Sequence, residues 1–220
     1  METFVILPHQ LFSKKYLNKK YIYILWEHPH YFKKYQYNKK KLILHHGSIK
    51  YYYDYLKNGG YNVTYIPFYK KPKLALYHIF DPIDKIPLPG IPTILESPNF
   101  LLTKVQCEKY RNKTKKFFFN AFYNWNKKEL NILPNVKSQD KYNRKPPIKN
   151  LKISSLPNNT RDSKYIQLGI RYVNRYFPNN PGNTIGFNYP ISHHTAKKWL
   201  KNFIKDRLKC FGPYQDAIIQ

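Results

Sequence analysis

The chain has 220 residues, a formal net charge of +27, 42% hydrophobic residues and 18% aromatic residues. This composition supports one sizeable core, or one domain with a satellite, and excludes a wholly disordered chain. No apolar run approaches the roughly 20 residues that span a bilayer, and the N-terminus lacks the features of a signal peptide. Cys107 and Cys210 are the only cysteines. We therefore expect reduced thiols in an intracellular protein, cytoplasmic or nuclear, with no membrane partner.

The excess of positive charge has two explanations, and both stay open. A polyanionic partner, most simply nucleic acid, would select for it. Alternatively, an AT-rich genome would enrich the chain in Lys, Asn, Tyr and Ile whatever its function.

The first part of the chain alternates apolar segments with a helical pattern. Apolar residues at helical spacing predict a helix from Lys40 to Asn58, closed by Gly59 and Gly60. A second helical stretch covers residues 115–130. Five apolar runs predict strands, namely TFVILP (3–8), YIYILWE (21–27), YNVTYIP (61–67), KLALYHIFD (73–81) and PTILES (92–97). This alternation predicts an α/β domain over residues 1–133, with a Rossmann-like, five-stranded parallel sheet flanked by helices.

The remainder reads as a linker followed by one helix. Residues 134–191 are rich in Pro, Asn, Lys and Ser, which predicts a long extended linker. Within residues 192–220, Ser192 is expected to cap an amphipathic helix. Lys197, Lys201 and Lys205 lie off its apolar stripe. We expect them to contact nucleic acid or a partner protein, and a solvated lysine face is the alternative.

Candidate ligand-binding residues follow the first two predicted strands. In open parallel sheets, ligands bind beyond the carboxyl ends of the strands. His9 and Gln10 follow the first strand, and Glu27 and His30 follow the second. They could offer donors and acceptors to a flat heteroaromatic ligand, with Trp26 or Tyr31 as a stacking surface. The alternative is that Glu27 and His30 cap the next helix while His9 lies in a solvated turn.

The sequence shows no standard catalytic or metal-binding motif. GxGxxG, the P-loop and GxSxG are absent, and the histidine pairs lack HExxH or zinc-finger spacing. We therefore predict neither catalytic residues nor a metal site.

Several collinear blocks resemble the cryptochrome/photolyase-related family, specifically its prokaryotic iron–sulfur-type photolyase branch. The blocks are FVILPHQLF (4–12), the segment 26–66, ESPNFLL (96–102), DKYNRKPP (140–147), YVNRYFPNNPGNTIGFNYPIS (172–192) and WLKNFIKDRLKCFGPYQDAI (199–218). In that family, a linker joins an N-terminal α/β antenna domain to a helical domain. The helical domain binds FAD, carries the cluster and takes the flipped lesion.

The resemblance implies that this chain is the N-terminal antenna half of a split or truncated DNA photolyase. FAD and the iron–sulfur cluster would then belong to a separate helical chain, and the 220 residues alone would not repair DNA. The second hypothesis is a non-enzymatic, basic nucleic-acid-binding module on the same scaffold.

The resemblance also implies a ribityl-lumazine-like antenna chromophore near the first two strands. Two departures from the family bear on it. Pro8 and His9 stand where many relatives have Gly-Asp, and Trp26 stands about where relatives have a small residue. We expect Trp26 to occupy space that a ring would otherwise take. The short crossover at residues 81–90 predicts a reduced helix after the fourth strand.

Overall fold

The computed structural model describes residues 2–114, 118–137 and 159–208. The chain divides into two units. The first unit comprises Met1–Ser97 and Leu156–Leu200, and the second comprises Pro98–Ser155 and Lys201–Gln220. Much of the predicted linker (138–158) and the predicted end of the last helix (209–220) lie outside the described residues.

A five-stranded parallel sheet forms the centre of the first unit, as predicted. Its order is β3-β2-β1-β4-β5, and β1 pairs with both β2 and β4. Val5, at the centre of β1, lies opposite Ile24 of β2 and Ile79 of β4. The strands are β1 (Thr3–Ile6), β2 (Ile22–Trp26), β3 (Asn62–Ile66), β4 (Leu76–Phe80) and β5 (Ile91–Leu95). The inner strands read as continuous apolar runs because strands of a parallel sheet are covered on both faces.

Six α-helices accompany the sheet in the described part of the chain. They are α1 (His30–Lys33), α2 (Lys39–Lys57), α3 (Lys104–Lys113), α4 (Phe119–Glu129), α5 (Ser163–Tyr176) and α6 (His193–Asp206). The predicted helix 40–58 is α2. The side chain of Asn38 caps it by accepting from the backbone N–H of Lys40, and Gly60 beyond its end has φ +75°. None of the helices in the described ranges is long and apolar enough to cross a bilayer.

Helix α5 corrects the prediction of an extended linker over 134–191. Its buried residues Ile166, Gly169 and Val173 recur at helical spacing. The Cβ of an alanine at position 169 would lie 2.9 Å from the carbonyl oxygen of Ile43 in α2. At Gly47 of α2, a Cβ would lie 3.0 Å from the carbonyl oxygen of Tyr165. The two glycines therefore allow α5 to approach α2 closely, and this contact brings a distant segment onto the sheet domain.

The start of α6 is fixed by a polar cluster. Ser192 Oγ accepts from the Thr195 backbone N–H at 3.2 Å, so its predicted capping role is confirmed. Asp162 Oδ2 accepts from the backbone N–H groups of Ile191 and Ser192. Further along α6, the apolar stripe is largely exposed, since Leu200 and Ile204 are 57% and 53% exposed.

The connection from β4 to β5 contains no helix, whereas the sequence predicts a shortened one.

The second unit holds α3 and α4. Thr103 and Gln106 form a capping box at the start of α3. Tyr110 of α3 packs against Phe122 and Trp125 of α4, with ring centroids 5.1 and 4.8 Å apart.

Candidate functional site

The carboxyl edge of the sheet brings together the residues that follow β1, β2 and β4. Strand order reverses between β1 and β4, which is where ligands bind in open α/β sheets. Gln10 fills this position. Its Nε2 donates to the carbonyl oxygens of Phe80 and Asp81, at 2.7 and 3.3 Å, and its Oε1 accepts from the Leu7 N–H. The amide is fully buried and satisfied, so it joins β1 to β4.

Glu27 lies at the end of β2 and is the centre of a buried polar hub. Its Oε1 is 2.7 Å from Nδ1 of His46 in α2. Its Oε2 accepts from the Tyr172 hydroxyl of α5 at 2.5 Å and from the Phe68 backbone N–H at 3.3 Å. The His46 ring stacks on Tyr172, with centroids 3.7 Å apart. We call Glu27, His46 and Tyr172 the Glu27 hub. It joins the sheet, α2 and α5.

The hub is electrostatically one unit. Burial, together with the negative charge of Glu27, raises the pKa of Tyr172 and of the neighbouring Tyr65 above the ordinary value. Both phenols therefore stay protonated at neutral pH, and Tyr172 can act only as a donor to the carboxylate.

Two histidines and a tyrosine hold the β4–β5 connection, residues 81–90, over the carboxyl edge. Nε2 of His9 contacts the carbonyl oxygen of Pro82 at 3.2 Å, and Nε2 of His28 contacts that of Pro87 at 2.9 Å. The Tyr31 hydroxyl donates to Asp84 Oδ2 at 3.2 Å. We call residues 81–90 the strap. Its backbone is fixed from β1, β2 and α1 at once.

His28 has a defined protonation state in this arrangement. Its Nδ1 accepts from the His30 backbone N–H at 3.1 Å, while its Nε2 must donate because it faces a carbonyl oxygen. The ring is therefore neutral, with the proton on Nε2. Burial lowers the pKa of His28, which agrees with this state.

A cavity of about 610 Å³ opens beside the strap. Its lining combines Trp26, His28 and His30 with two prolines of the strap. The full lining is Trp26, His28, Pro29, His30, Lys33, Lys34, Lys71, Pro72, Pro87, Leu88 and Pro89. We call it the Trp26 cavity. Its three lysines are exposed, and no lining residue is acidic. The buried indole Nε1 of Trp26 has no hydrogen-bond partner among the described residues.

The structure separates the four predicted ligand residues. Only His30 lines the Trp26 cavity. Gln10 and Glu27 are buried and bonded within the protein, and the His9 ring packs on Tyr31 with centroids 4.8 Å apart. Ligand binding by these residues stays a prediction. Sequence reasoning does not identify His46 and Tyr172, because the turn-rich composition of residues 134–191 predicts a linker and no local signal connects Tyr172 to Glu27.

The predicted basic row lies along α6. Lys197, Lys201 and Lys205 are all exposed. Whether they contact nucleic acid or a partner stays a prediction. Among the described residues, no three His, Cys, Asp or Glu side chains gather as metal ligands would.

Comparison with known proteins decides the family. A family model described as deoxyribodipyrimidine photo-lyase-related protein matches residues 4–81 and 77–189. The chain belongs to this photolyase-related family. It is also similar to Uncharacterized protein R852 of Acanthamoeba polyphaga mimivirus, with 32% identity over 180 residues, which covers 64% of this chain and 92% of that protein. The residues that the family model matches include all three members of the Glu27 hub.

Proposed function

We propose that the first unit is an antenna-type domain that holds a flat heteroaromatic chromophore of the ribityl-lumazine class in the Trp26 cavity. The observation that carries the proposal is the cavity itself. Its volume of about 610 Å³ falls within the usual range for small-molecule sites. Trp26 offers a rigid aromatic surface and a buried, unpartnered N–H donor.

The chemistry of the rim agrees with a polar, electron-rich ligand. Lys33, Lys34 and Lys71 supply positive charge without a lining carboxylate to offset it. A bound chromophore would supply absorption of visible light, while these side chains would bind and orient it. The site lies beside the predicted residues His9, Gln10 and Glu27, and it shares His30 with them.

Titration of the purified chain with a ribityl-lumazine, followed by its visible absorption, tests this proposal. Saturable binding with one ligand per chain is expected. A Lys33→Gln/Lys71→Gln double variant should weaken it by up to about 30-fold, since exposed charge pairs contribute up to about 1 kcal/mol each. A matched Lys15→Gln/Lys57→Gln variant changes the same charge away from the cavity and should bind normally. No binding at about 1 mM ligand would refute the proposal, because specific sites bind more tightly than this.

A second part of the proposal concerns DNA repair. We infer that the chain is related to the iron–sulfur branch of the photolyases and that its 220 residues do not repair DNA alone. In the resembling enzymes, repair needs an electron from reduced FAD, which a helical domain holds. Illumination of the 220-residue chain with reduced FAD and ultraviolet-damaged DNA should leave the damage unchanged. Repair under these conditions would contradict the inference.

A second candidate function is nucleic-acid binding without catalysis. The exposure of Lys197, Lys201 and Lys205 along α6, in a chain of net charge +27, supports it. Duplex binding through this row should weaken steeply with salt, since each phosphate contact releases a counterion. Substitution of the three lysines by glutamine should remove that binding, and absence of binding at low salt would eliminate this candidate.

A further inference from the structure

Helix α4 carries aromatic side chains on two faces. Only one of these faces packs against another helix of the described structure. Phe122 and Trp125 pack against Tyr110 of α3. On another face, Phe119 is 80% exposed and Tyr123 is 41% exposed. Their rings lie nearly parallel, at 15°, with centroids 6.3 Å apart. Exposed rings of this size at consecutive helical turns contribute nothing to the core, which indicates a surface that contacts something else.

The exposed rings continue into a groove between α3 and α4. Phe118, which precedes α4, is 64% exposed. The groove has a volume of about 510 Å³ and is lined by Cys107, Tyr110, Arg111, Phe118, Phe119 and Phe122. Its lining is therefore mostly aromatic, with one thiol and one guanidinium. This lining suits a flat, aromatic group that carries or adjoins negative charge.

The charge around these rings has one dominant sign. In the described residues of the second unit before α6 (98–114 and 118–137), seven basic residues stand against the two acids Glu108 and Glu129. Lys109 contacts Glu129 at 3.3 Å, which offsets one of the acids. Lys127 continues the row of Phe119 and Tyr123 by one turn, with its Nζ 5.4 Å from the centre of the Tyr123 ring. The surface thus alternates aromatic faces with cations.

We propose that this surface binds single-stranded nucleic acid. Unpaired bases would stack on Phe118, Phe119 and Tyr123, while Arg111 and Lys127 would contact the adjoining phosphates. Basic grooves with aromatic platforms are the usual means of binding single strands without sequence preference. A duplex hides its base faces, so it would leave the rings unused. An apolar protein helix would use the rings but would meet a surface of net positive charge. This site is distinct from the Trp26 cavity, and it does not depend on the chromophore.

Fluorescence anisotropy with a labelled oligothymidine of about 20 nucleotides tests the proposal on the full chain. A Phe118→Leu/Phe119→Leu variant should bind it about 30-fold more weakly or worse, because each of the two stacked bases is worth roughly 1–3 kcal/mol. The substituted side chains are exposed, so the fold should persist, as far-UV circular dichroism will show. The matched control is Tyr35→Leu, an equally exposed ring (61%) in the first unit, which should bind as the unsubstituted chain does.

Salt and strand dependence complete the test. Lys127→Gln should lower the slope of log affinity against log salt by about 0.7, the value for one phosphate contact with a single strand. A duplex of the same length should bind equally well to the chain and to the Phe118→Leu/Phe119→Leu variant. Unchanged oligothymidine binding in that variant would overturn the proposal. So would the loss of binding on replacing only Lys197, Lys201 and Lys205, since the α6 row would then be the site. No oligothymidine binding at low salt would also overturn it, and the rings would then belong to a protein interface.

Discussion

Replacement of Glu27 by leucine should unfold the first unit more readily than any surface change. The substitution leaves the His46 ring, the Tyr172 hydroxyl and the Phe68 N–H buried without their shared acceptor. Removal of one partner from a buried, hydrogen-bonded charge network costs about 3–5 kcal/mol. For a chain of this size, that corresponds to a fall in Tm of about 6–20 °C.

Asp54 is the matched control, because it also joins α2 to α5. Its Oδ2 accepts from Lys164 Nζ at 3.2 Å and from the Tyr165 hydroxyl at 2.9 Å, but the pair lies at the surface. Asp54→Asn should cost less than about 1 kcal/mol. Urea unfolding followed by circular dichroism measures both. If Glu27→Leu stays within about 1 kcal/mol of Asp54→Asn, the structural role assigned to Glu27 is wrong.

The milder variant Glu27→Gln separates stability from ligand binding. The amide keeps the shape of the side chain and one acceptor, so a smaller loss of about 1–3 kcal/mol is expected. Because Glu27 does not line the Trp26 cavity, the folded variant should bind a ribityl-lumazine with unchanged affinity. If Glu27→Gln keeps the stability of the unsubstituted chain but loses affinity for the ribityl-lumazine, Glu27 is a binding residue instead.

Three further predictions concern the packing of α5, the effect of pH and the strap. Gly169→Val should destabilise the chain by about 1–3 kcal/mol in thermal melts, since its Cβ would meet the Ile43 carbonyl; an unchanged Tm would contradict the close crossing. Burial lowers the pKa of His45 in α2 to about 4, so the unfolded state binds its proton first and His45 should cost about 3 kcal/mol of stability between pH 6.5 and pH 4. Urea unfolding at several pH values should show a smaller loss for His45→Gln, with the remainder due to groups such as His9 and His28, whose pKa values burial also lowers. His28→Leu removes the bond to Pro87 and should increase tryptic cleavage after Lys85; equal cleavage rates would show that His28 does not hold the strap.

The sheet could be predicted from sequence because its strands are continuous apolar runs separated by turn residues. The α2 helix was equally readable from its buried spacing and from the glycines after Lys57. Helix α5 also carries apolar residues at helical spacing, Ile166 and Val173, but the turn-rich segments that flank it favour a linker, and its closest contact uses Gly169, which has no side chain to signal it. Its position depends on contacts with α2, more than 100 residues away.

The positions of the candidate residues at the carboxyl edge of the sheet follow from the sequence, but their roles do not. Gln10 and Glu27 have the chemistry of ligand contacts. Whether they serve a ligand or the fold depends on which backbone and side-chain groups meet them, and those groups come from β4, α2 and α5. The cavity itself depends on the strap, whose path follows from contacts with His9, His28 and Tyr31 that span about 50 to 75 residues of sequence.

The indole N–H resonance of Trp26 in a ¹⁵N-labelled sample tests the central claim most directly. Trp26→Phe assigns the signal, and Trp125 and Trp199 serve as internal references. Addition of a ribityl-lumazine should shift the Trp26 signal to saturation at one ligand per chain, while the other two indole signals stay in place. A chain that takes up the ligand without moving the Trp26 signal, or that takes up none, would contradict the assignment of this cavity as the chromophore site.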